Sequence, residues 1–347
     1  MKTMCISARG AILAAVVAGM GGNGFAVTML PFTPTNPIGG APVGWSYAGN
    51  KFVGTVLGDG VGRMYSTDLT GGSVAPFGGT VNLLNGHGQE HYVSSSIGLG
   101  GFPVGDIYVA SNNNIQHLTN AGVADPGLFI SGSSGGLTGL VRGITFDAVG
   151  TFGNQMLVTT DQGFVYTVSS AGVATQIAST GEDTEGLDVA PLTGGTWGSM
   201  NGWLFVASEG SGTIRAIKPV SFAVVPVATV PSGEELDFVP LNLGASGNPL
   251  EGLYGANYNA NVLHAGAPDF AGMQGDIIVT SELLPHTISR VSFGGGVTTV
   301  GSFPNQPEDG LFVTAGLIQA LNGPEPTTLG LLGVGSLLMV GRRRRVC

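Results

Sequence analysis

Short apolar segments alternate with tight polar turns along most of the chain, and one arrangement of them recurs. A strongly apolar segment is followed by a turn of Asn, Asp or Gly residues, then by a segment in which apolar and polar residues alternate, and then by a Val-rich segment. The clearest copies of the apolar segment are residues 105–111, 154–160, 202–208 and 275–281, with a weaker copy at 51–56. We expect consecutive antiparallel strands in each copy, because Asn, Asp and Gly allow the positive φ angles of hairpin turns.

The pattern within each copy predicts how its strands are buried. An apolar segment without alternation is typical of a strand buried on both faces, whereas the alternating segment exposes one face to solvent. A further short strand is predicted before each apolar segment, and it begins at a polar or charged residue. Its starts are Glu90, Arg142, Glu185, Glu251 and Asp309, at intervals of 52, 43, 66 and 58 residues. Four strands per repeat at such intervals are typical of a β-propeller.

We therefore predict an all-β fold, a β-propeller of five or six four-stranded blades, with residues 234–240 as the candidate start of a sixth. The copy at Lys51 lacks a preceding strand, and the strand at Asp309 lacks following ones. We expect these two chain ends to complete one blade together, which would leave no open sheet edge. A solenoid or a β-sandwich is the alternative, because the intervals are irregular.

This repeat resembles the propellers of the NHL-repeat, gluconolactonase-like and streptogramin-lyase-like families. The resemblance implies a central channel lined by the first strand of each blade, and in the lactonase-like propellers channel acids bind a divalent metal. The residues that would meet at one channel mouth are Glu90, His91, Arg142, Glu185, Glu251 and Asp309. Their carboxylates could hold Ca²⁺, with Glu185 and Glu251 as candidate ligands, or position a substrate. Alternatively, these acids only accept hydrogen bonds from neighbouring strands or face channel water.

Other patterns with known chemistry carry less weight. His87, Glu90 and His91 form an H-x-x-E-H pattern, but zinc binding by this motif needs both histidines on one helix face. The surrounding residues instead predict a loop that enters a strand. No G-x-x-x-x-G-K-[ST] sequence occurs. The tryptophans are candidates either for carbohydrate stacking or for the blade core; they are Trp45, Trp197 and Trp203.

Residues 1–26 have the three parts of a secretory signal peptide. Lys2 and Arg9 give the positive region, residues 11–18 the apolar run, and Gly24 and Ala26 the small residues that a signal peptidase recognises. A buried N-terminal helix is the alternative. Both cysteines, Cys5 and Cys347, lie in the two ends of the chain. The central region therefore has no internal disulfide, which fits an exported protein with a core large enough to need none.

The C-terminal residues show three features in a specific order. Pro324-Glu325-Pro326 precedes residues 327–341, which carry no charge, and the arginines Arg342, Arg343, Arg344 and Arg345 follow. The apolar part is shorter than the ~20 residues of a stable membrane span, and the arginines would stay cytoplasmic and orient the body outward. This order resembles the PEP-CTERM sorting signal of Gram-negative bacteria, which implies processing by an exosortase at Pro324, Glu325 and Pro326. An ordinary short C-terminal anchor is the alternative.

These signals divide the chain into a signal peptide at 1–26, a Pro- and Gly-rich lead-in at 27–44, a propeller at 45–320 and a sorting tail at 321–347. Between the two ends, six basic residues stand against twenty-one acids. This excess of negative charge disfavours nucleic acid as a partner.

We expect an exported cell-surface or matrix propeller that has a structural role or binds a polysaccharide or protein partner, rather than an enzyme. The alternative is a secreted, metal-dependent hydrolase or lyase of the lactonase type. The expected processing partners are signal peptidase and an exosortase-type enzyme, with transient anchoring in the inner membrane of a Gram-negative bacterium.

Overall fold

Six strands line a central channel, and each is the innermost strand of one sheet. The computed structural model describes residues 26–131 and 136–322. In ring order the inner strands are Pro42–Tyr47, Val93–Ser95, Val141–Phe146, Leu187–Val189, Gly233–Phe238 and Pro307–Val313, and the last packs against the first. The predicted all-β propeller is confirmed, and it has six blades, numbered 1–6 in this order.

Blades 1–4 are each built from consecutive antiparallel strands that follow one another outward from the channel. Blade 1 continues with Phe52–Val56, Met64–Thr67 and Ala75–Phe77. Blade 2 continues with Ile107–Ser111 and Asn114–Leu118, to which Ile130 adds an isolated bridge. Blade 3 continues with Met156–Thr160, Phe164–Val168 and Ala174–Ser179, and blade 4 with Leu204–Ser208, Thr213–Ile217 and Val224–Thr229. The apolar segments of the repeat are thus the buried second strands.

Blade 6 is assembled from three separate parts of the chain. After the inner strand of blade 5, the chain leaves that blade and forms a hairpin, Gly252–Asn257 and Asn261–Gly266, in the middle of blade 6. Blade 5 then resumes with Ile277–Ser281, Thr287–Ser292 and Gly296–Ser302. Pro307–Val313 completes blade 6 on the channel side, and Leu30–Pro31 completes it on the outside.

The two chain ends share a blade, but not in the way that the sequence predicts. The strand that contains Asp309 is the inner strand of blade 6, whereas the copy at Lys51 belongs to blade 1, which has its own inner strand. Residues 27–44 are more than a lead-in, because they supply the outer strand of blade 6 and the beginning of Pro42–Tyr47. The candidate sixth start at 234–240 lies in the inner strand of blade 5.

Several short elements complete the structure. Gly60–Val61 pairs with Asn82–Leu83, and 3₁₀ turns occupy Pro37–Gly39, His87–Gln89, Gly198–Met200 and Ala267–Phe270. An α-helix, Ala315–Asn322, follows the last strand. Within residues 26–131 and 136–322, no helix has the length and apolar character needed to span a membrane. The signal helix and the apolar C-terminal helix predicted from the sequence lie outside these residues.

Apolar side chains between neighbouring blades form the core, and aromatic rings close the ring between blades 6 and 1. Trp45 stacks on Phe52 with ring centroids 5.1 Å apart, and Tyr254 of the inserted hairpin lies 4.8 Å from Phe52. Gly54 is required beside them, because a Cβ there would lie 2.6 Å from the Tyr65 ring. Each such buried ring contributes roughly 2–3 kcal/mol relative to an exposed one.

The direction of the inner strands distinguishes the two faces of the propeller. The inner strands begin at one face, the mouth face, and end at the other, the far face. Because the strands of a blade are antiparallel, the turn between its second and third strands lies on the mouth face, and the turn between its third and fourth strands lies on the far face. The helix Ala315–Asn322 lies on the far face, where Asn322 Nδ2 donates hydrogen bonds to the Tyr47 hydroxyl at 2.9 Å and to the Gly49 carbonyl at 3.3 Å.

Candidate functional site

A buried arginine stands at the channel mouth and binds several acids at once. Arg142, near the start of the blade 3 inner strand, is only 3% exposed. Its Nη1 lies 2.6 Å from a Glu90 oxygen, and its Nη2 lies 3.1 Å from a Glu209 oxygen. The same guanidinium pairs with Glu185 and, through Nε at 3.3 Å, with Asp183. One positive charge is therefore shared among four carboxyl groups.

Three more carboxyl groups lie beside this set and have no cation of their own in the described chain. Glu234 and Glu308 are 2% and 1% exposed and come from the inner strands of blades 5 and 6. The Gln306 amide bridges two acids, since it donates to Glu282 at 2.8 Å and to Glu308 at 2.9 Å. We call these seven acids the mouth cluster; they are Glu90, Asp183, Glu185, Glu209, Glu234, Glu282 and Glu308.

Burial and mutual repulsion hold protons on this cluster. Burial, followed by the neighbouring negative charges, raises the pKa values of Glu185 and Glu308 well above the ordinary glutamate value. Burial also raises the pKa of Glu234 well above normal, although the Arg142 charge acts against it. For Glu282, burial and the hydrogen bond and charge of Glu209 raise the pKa to about 7. Arg142 is therefore insufficient to neutralise the cluster.

Buried oxygens without partners mark where a cation would be bound. Glu185 Oε1, Glu234 Oε2 and Glu308 Oε2 are inaccessible to solvent, and they accept no hydrogen bond from the described residues. One carboxylate oxygen each from Glu185, Glu209 and Glu234 lie within 4.8 Å of one another. Carboxylate oxygens at such separations suit a hard divalent cation such as Ca²⁺. These three residues fit a metal, and water or a partner would supply the remaining ligands.

Antiparallel pairing explains how acids from distant sequence positions meet. Ser208 is the last residue of the blade 4 second strand and lies opposite the residues that precede the blade 4 inner strand. Glu209 therefore comes beside Glu185. Ser281 pairs with Gly233, so Glu282 comes beside Glu234. The sequence pattern predicts only a tight turn after each second strand. An acid directly after a second strand was the available signal, because this position lies level with the start of the inner strand.

The structure places the predicted mouth residues differently. Glu90, Arg142 and Glu185 meet as expected. His91 lies under the mouth with its ring fully buried; Nδ1 is 3.0 Å from the Ala110 carbonyl and Nε2 is 3.2 Å from Asp59. Burial lowers the His91 pKa, and both ring nitrogens are engaged below the mouth, so this side chain does not line it.

Glu251 does not lie at the mouth, and the prediction that it begins an inner strand is wrong. It precedes Gly252–Asn257, the second strand of blade 6, in which Gly252 pairs with Val313 at the far end of the inner strand. Glu251 therefore lies on the far-face side, where it accepts hydrogen bonds from Gly244 N at 2.8 Å and from Ser246.

Asp309 lies deeper in the channel, next to acids of the neighbouring inner strands. Asp188, Asp237 and Asp309, together with Glu235, line a cavity of about 230 Å³ that reaches Leu317 of the far-face helix. Burial raises the pKa of Asp188 to about 6 and that of Asp309 to about 7, against hydrogen bonds from backbone N–H groups. Burial and the charges of Asp188 and Asp309 raise the Asp237 pKa well above the ordinary aspartate value. We call Asp188, Asp237 and Asp309 the inner-channel acids.

The remaining sequence candidates have structural roles. His87 lies in a 3₁₀ turn, 3.8 Å from Asp161 and from Asp183, whereas His91 faces Asp59, so the two histidines do not face one metal position. Trp45 and Trp197 are 1% and 0% exposed and belong to the core. Trp203 is partly buried, with Lys218 Nζ 5.8 Å from its ring.

Solved structures similar to this chain include a streptogramin B lyase, with 13% identity, a TM-score of 0.45, and coverage of 80% of this chain and 74% of that one. A catalytically inactive virginiamycin B lyase from Staphylococcus aureus with quinupristin has 12% identity, a TM-score of 0.44 and the same coverage. A putative gluconolactonase has 12% identity, a TM-score of 0.44 and 82% coverage of each chain. The sequence matches no protein-family model and no curated protein. Similarity at this level gives no information about the chemistry of the mouth.

Proposed function

We propose that this protein is an exported, surface-destined propeller that binds Ca²⁺ at its channel mouth and acts as a binding protein. The observation that carries the proposal is the convergence of the Glu185, Glu209 and Glu234 oxygens, two of these residues being almost fully buried. Burial and the neighbouring negative charges raise the pKa values of Glu185, Glu234 and Glu308 in this cluster. A divalent cation would replace protons on these acids at neutral pH, because buried carboxylates need a compensating charge.

Export and sorting are part of the proposal, and the sequence of the two ends supports them. Signal peptidase would remove residues 1–26, and an exosortase-type enzyme would act at Pro324, Glu325 and Pro326. The last described helix ends at Asn322, so a cut at the motif leaves every strand of the propeller in place. Replacing the three motif residues with alanine should leave an unprocessed chain in the inner membrane. Normal release of that variant would contradict the sorting proposal.

A polysaccharide or protein partner would complete the coordination shell of the bound cation. The mouth is partly open, since Glu209 is 28% and Asp183 is 20% exposed. A Ca²⁺ ion held there retains coordination positions on the solvent side, because Ca²⁺ takes six to eight oxygen ligands. A partner with carboxylate or hydroxyl oxygens would fit those positions.

Thermal unfolding in Ca²⁺ or in EDTA tests the cation site. If Ca²⁺ is present at about 100 times its Kd, binding stabilises the folded state by about 2.7 kcal/mol, a rise of roughly 5 °C in Tm for a protein of this size. The Glu209→Gln variant should lose most of this rise, because it removes one charged ligand of the cation. Glu209 is the most exposed of the three ligands, so we expect its replacement to leave the fold intact. Identical Tm values for the parent protein in Ca²⁺ and EDTA would contradict the proposal.

A metal-dependent hydrolase or lyase is the second candidate, and Glu282 is the observation that favours it. A carboxyl group with a pKa of about 7 at a partly open mouth is suited to proton transfer near neutral pH. Lactone hydrolysis and lyase substrates should be assayed with Ca²⁺, Mg²⁺ and Zn²⁺. Activity that Glu282→Gln abolishes, with cation binding retained, would establish the enzyme; no turnover of any substrate would leave the binding function.

A further inference from the structure

Exposed apolar side chains are concentrated on the far face of the propeller, at the turns between the third and fourth strands. Val123, Val173 and Phe293 occupy these turns in blades 2, 3 and 5 and are 64%, 61% and 55% exposed. The blade 4 turn carries two such residues, Val220 at 90% and Phe222 at 37%. Single exposed apolar residues are common on proteins, but here they recur at one structural position in successive blades.

The blade 4 turn also holds its apolar residues in an unfavourable backbone conformation. Val220 has φ +69° and Phe222 has φ +54°, a region that β-branched and bulky residues rarely adopt. Such conformations cost on the order of 1–3 kcal/mol each, and glycine would relieve the strain. The turn thus presents Val220 and Phe222 to solvent at an energetic cost, which indicates that the exposed side chains have a use.

The chain leaves the propeller on this same face. Asn322 is held against Tyr47 and Gly49 at the far end of the blade 1 inner strand. In the sequence the Pro324-Glu325-Pro326 motif, the uncharged residues 327–341 and four arginines follow within 25 residues. A tail inserted in a membrane would therefore bring the far face, and not the mouth face, toward the lipid.

The density of buried acids also differs between the two faces. The mouth cluster places seven acids at the opposite face, where Arg142 compensates only part of their charge, and anionic lipid headgroups would repel that face. The far face carries Lys218, which begins the turn that holds Val220 and Phe222, and Lys51. It also carries acids, among them Asp68, Asp106, Asp276 and Glu251, of which Asp276 is paired with Arg290. Lysine beside exposed apolar side chains is the combination that binds the interfacial region of an anionic bilayer.

We propose that the far face lies against the lipid bilayer while the tail is anchored, with Val123, Val173, Val220, Phe222 and Phe293 in the headgroup region and the mouth directed away from the membrane. This inference rests on the proposed sorting tail. It adds a second, reversible contact with lipid and assigns the acidic mouth to the extracytoplasmic space, where a cation and a partner reach it.

Site-specific fluorescence in vesicles tests the orientation. With Cys5 and Cys347 replaced by serine, the chain accepts a single cysteine, which would be placed at Val220 or at Phe293 and labelled with the polarity-sensitive dye NBD. Leu284→Cys is the matched control, because Leu284 is 82% exposed and lies in the mouth-face turn of blade 5. The full chain is reconstituted in phosphatidylethanolamine–phosphatidylglycerol vesicles and recovered by flotation.

Lipid-linked doxyl groups should quench the dye at positions 220 and 293 at least threefold more than at position 284, with a blue-shifted emission only at the first two. Equal quenching at all three positions in a protein that floats with the vesicles would overturn the far-face proposal and leave the sorting proposal standing. A full chain that does not float would overturn both.

Discussion

At the scale of single residues, the account depends on how protons and cations share the buried acids. In the mouth cluster, the Arg142 guanidinium compensates only part of the negative charge of seven carboxyl groups. One buried oxygen each of Glu185, Glu234 and Glu308 accepts no hydrogen bond from the described residues. In the channel below, the charged groups that raise the pKa values of Asp188 and Asp237 are other acids. The mouth is open to a cation from solvent, whereas burial raises the pKa values of the inner-channel acids and so favours their protonated forms.

The inner-channel acids predict a protein that loses stability as the pH rises. A carboxyl group whose pKa is raised by folding stabilises the folded state fully below its unfolded pKa of 3.8, and this contribution is lost as the pH rises through the folded pKa. For Asp309 and Asp188 that window reaches pH values of about 7 and about 6. Asp309→Asn should therefore raise the free energy of unfolding at pH 8 by on the order of 2–4 kcal/mol, and Tm should rise with it. At pH 4.5 the substitution should change Tm little.

Asp68→Asn is a control for which the effect on stability should change with pH in the opposite direction. Hydrogen bonds from Thr70 and Ser73 lower the pKa of this exposed aspartate, so its contribution is present at neutral pH and is lost as the pH falls. This variant should be less stable than the parent protein at pH 8 and should approach it in acid. Thermal unfolding from pH 4 to pH 9 measures both variants. A lower Tm for Asp309→Asn at pH 8 would contradict the assignment of raised pKa values to the inner channel.

At the scale of strands and blades, the local pattern predicts the elements well, but their pairing only in part. Apolar second strands such as Met156–Thr160 are fully buried, and the turns after them contain the Asn, Asp and Gly residues expected from the sequence. The hairpin Gly252–Gly266 has the same local pattern as its neighbours, yet it belongs to blade 6 while the chain on either side belongs to blade 5. Long-range pairing decides which sheet a hairpin joins, and periodicity carries no information about that choice.

The errors in the predicted site follow from the same cause. Glu251 begins a second strand rather than an inner one, so antiparallel pairing places it on the far-face side. Asp309 directly follows Glu308 in the blade 6 inner strand, and successive side chains of a strand point in different directions. Glu308 therefore belongs to the mouth cluster, whereas Asp309 lies in the inner channel. Glu90, Arg142 and Glu185 were predictable because their blades are built from consecutive strands.

The inserted hairpin closes the ring, and its core residue should be critical. Tyr254 is 0% exposed and packs between Phe32 and Phe52, with ring centroids 4.8 Å from each. Tyr254→Ala should destabilise the protein by about 3–5 kcal/mol, through lost contacts and the cavity that remains. Leu284→Ala, at an exposed position, should change stability by less than about 0.5 kcal/mol. Chemical denaturation measures both, and similar small losses would show that blade 6 does not depend on this contact.

At the scale of the whole molecule, the two faces have different compositions and different proposed roles. Seven acids share the Arg142 charge at the mouth, whereas the exposed apolar turns and the exit toward the tail lie on the far face. An anchored or recently processed protein would thus present a cation-binding mouth to its surroundings. Because the strands of blade 6 lie between Leu30 and Val313, the proposed processing after residue 26 and at residues 324–326 would leave the ring closed.

The most direct test is calorimetric titration of the purified protein with Ca²⁺, compared among three variants. We predict one site in the parent protein, at least tenfold weaker binding in Glu209→Gln and in Glu234→Gln, and unchanged affinity in Glu251→Gln, which replaces a buried acid on the opposite side of the propeller. Circular dichroism would establish that each variant is folded. Absence of heat with the parent protein, or loss of binding in Glu251→Gln with normal binding in Glu234→Gln, would contradict a cation site at the channel mouth.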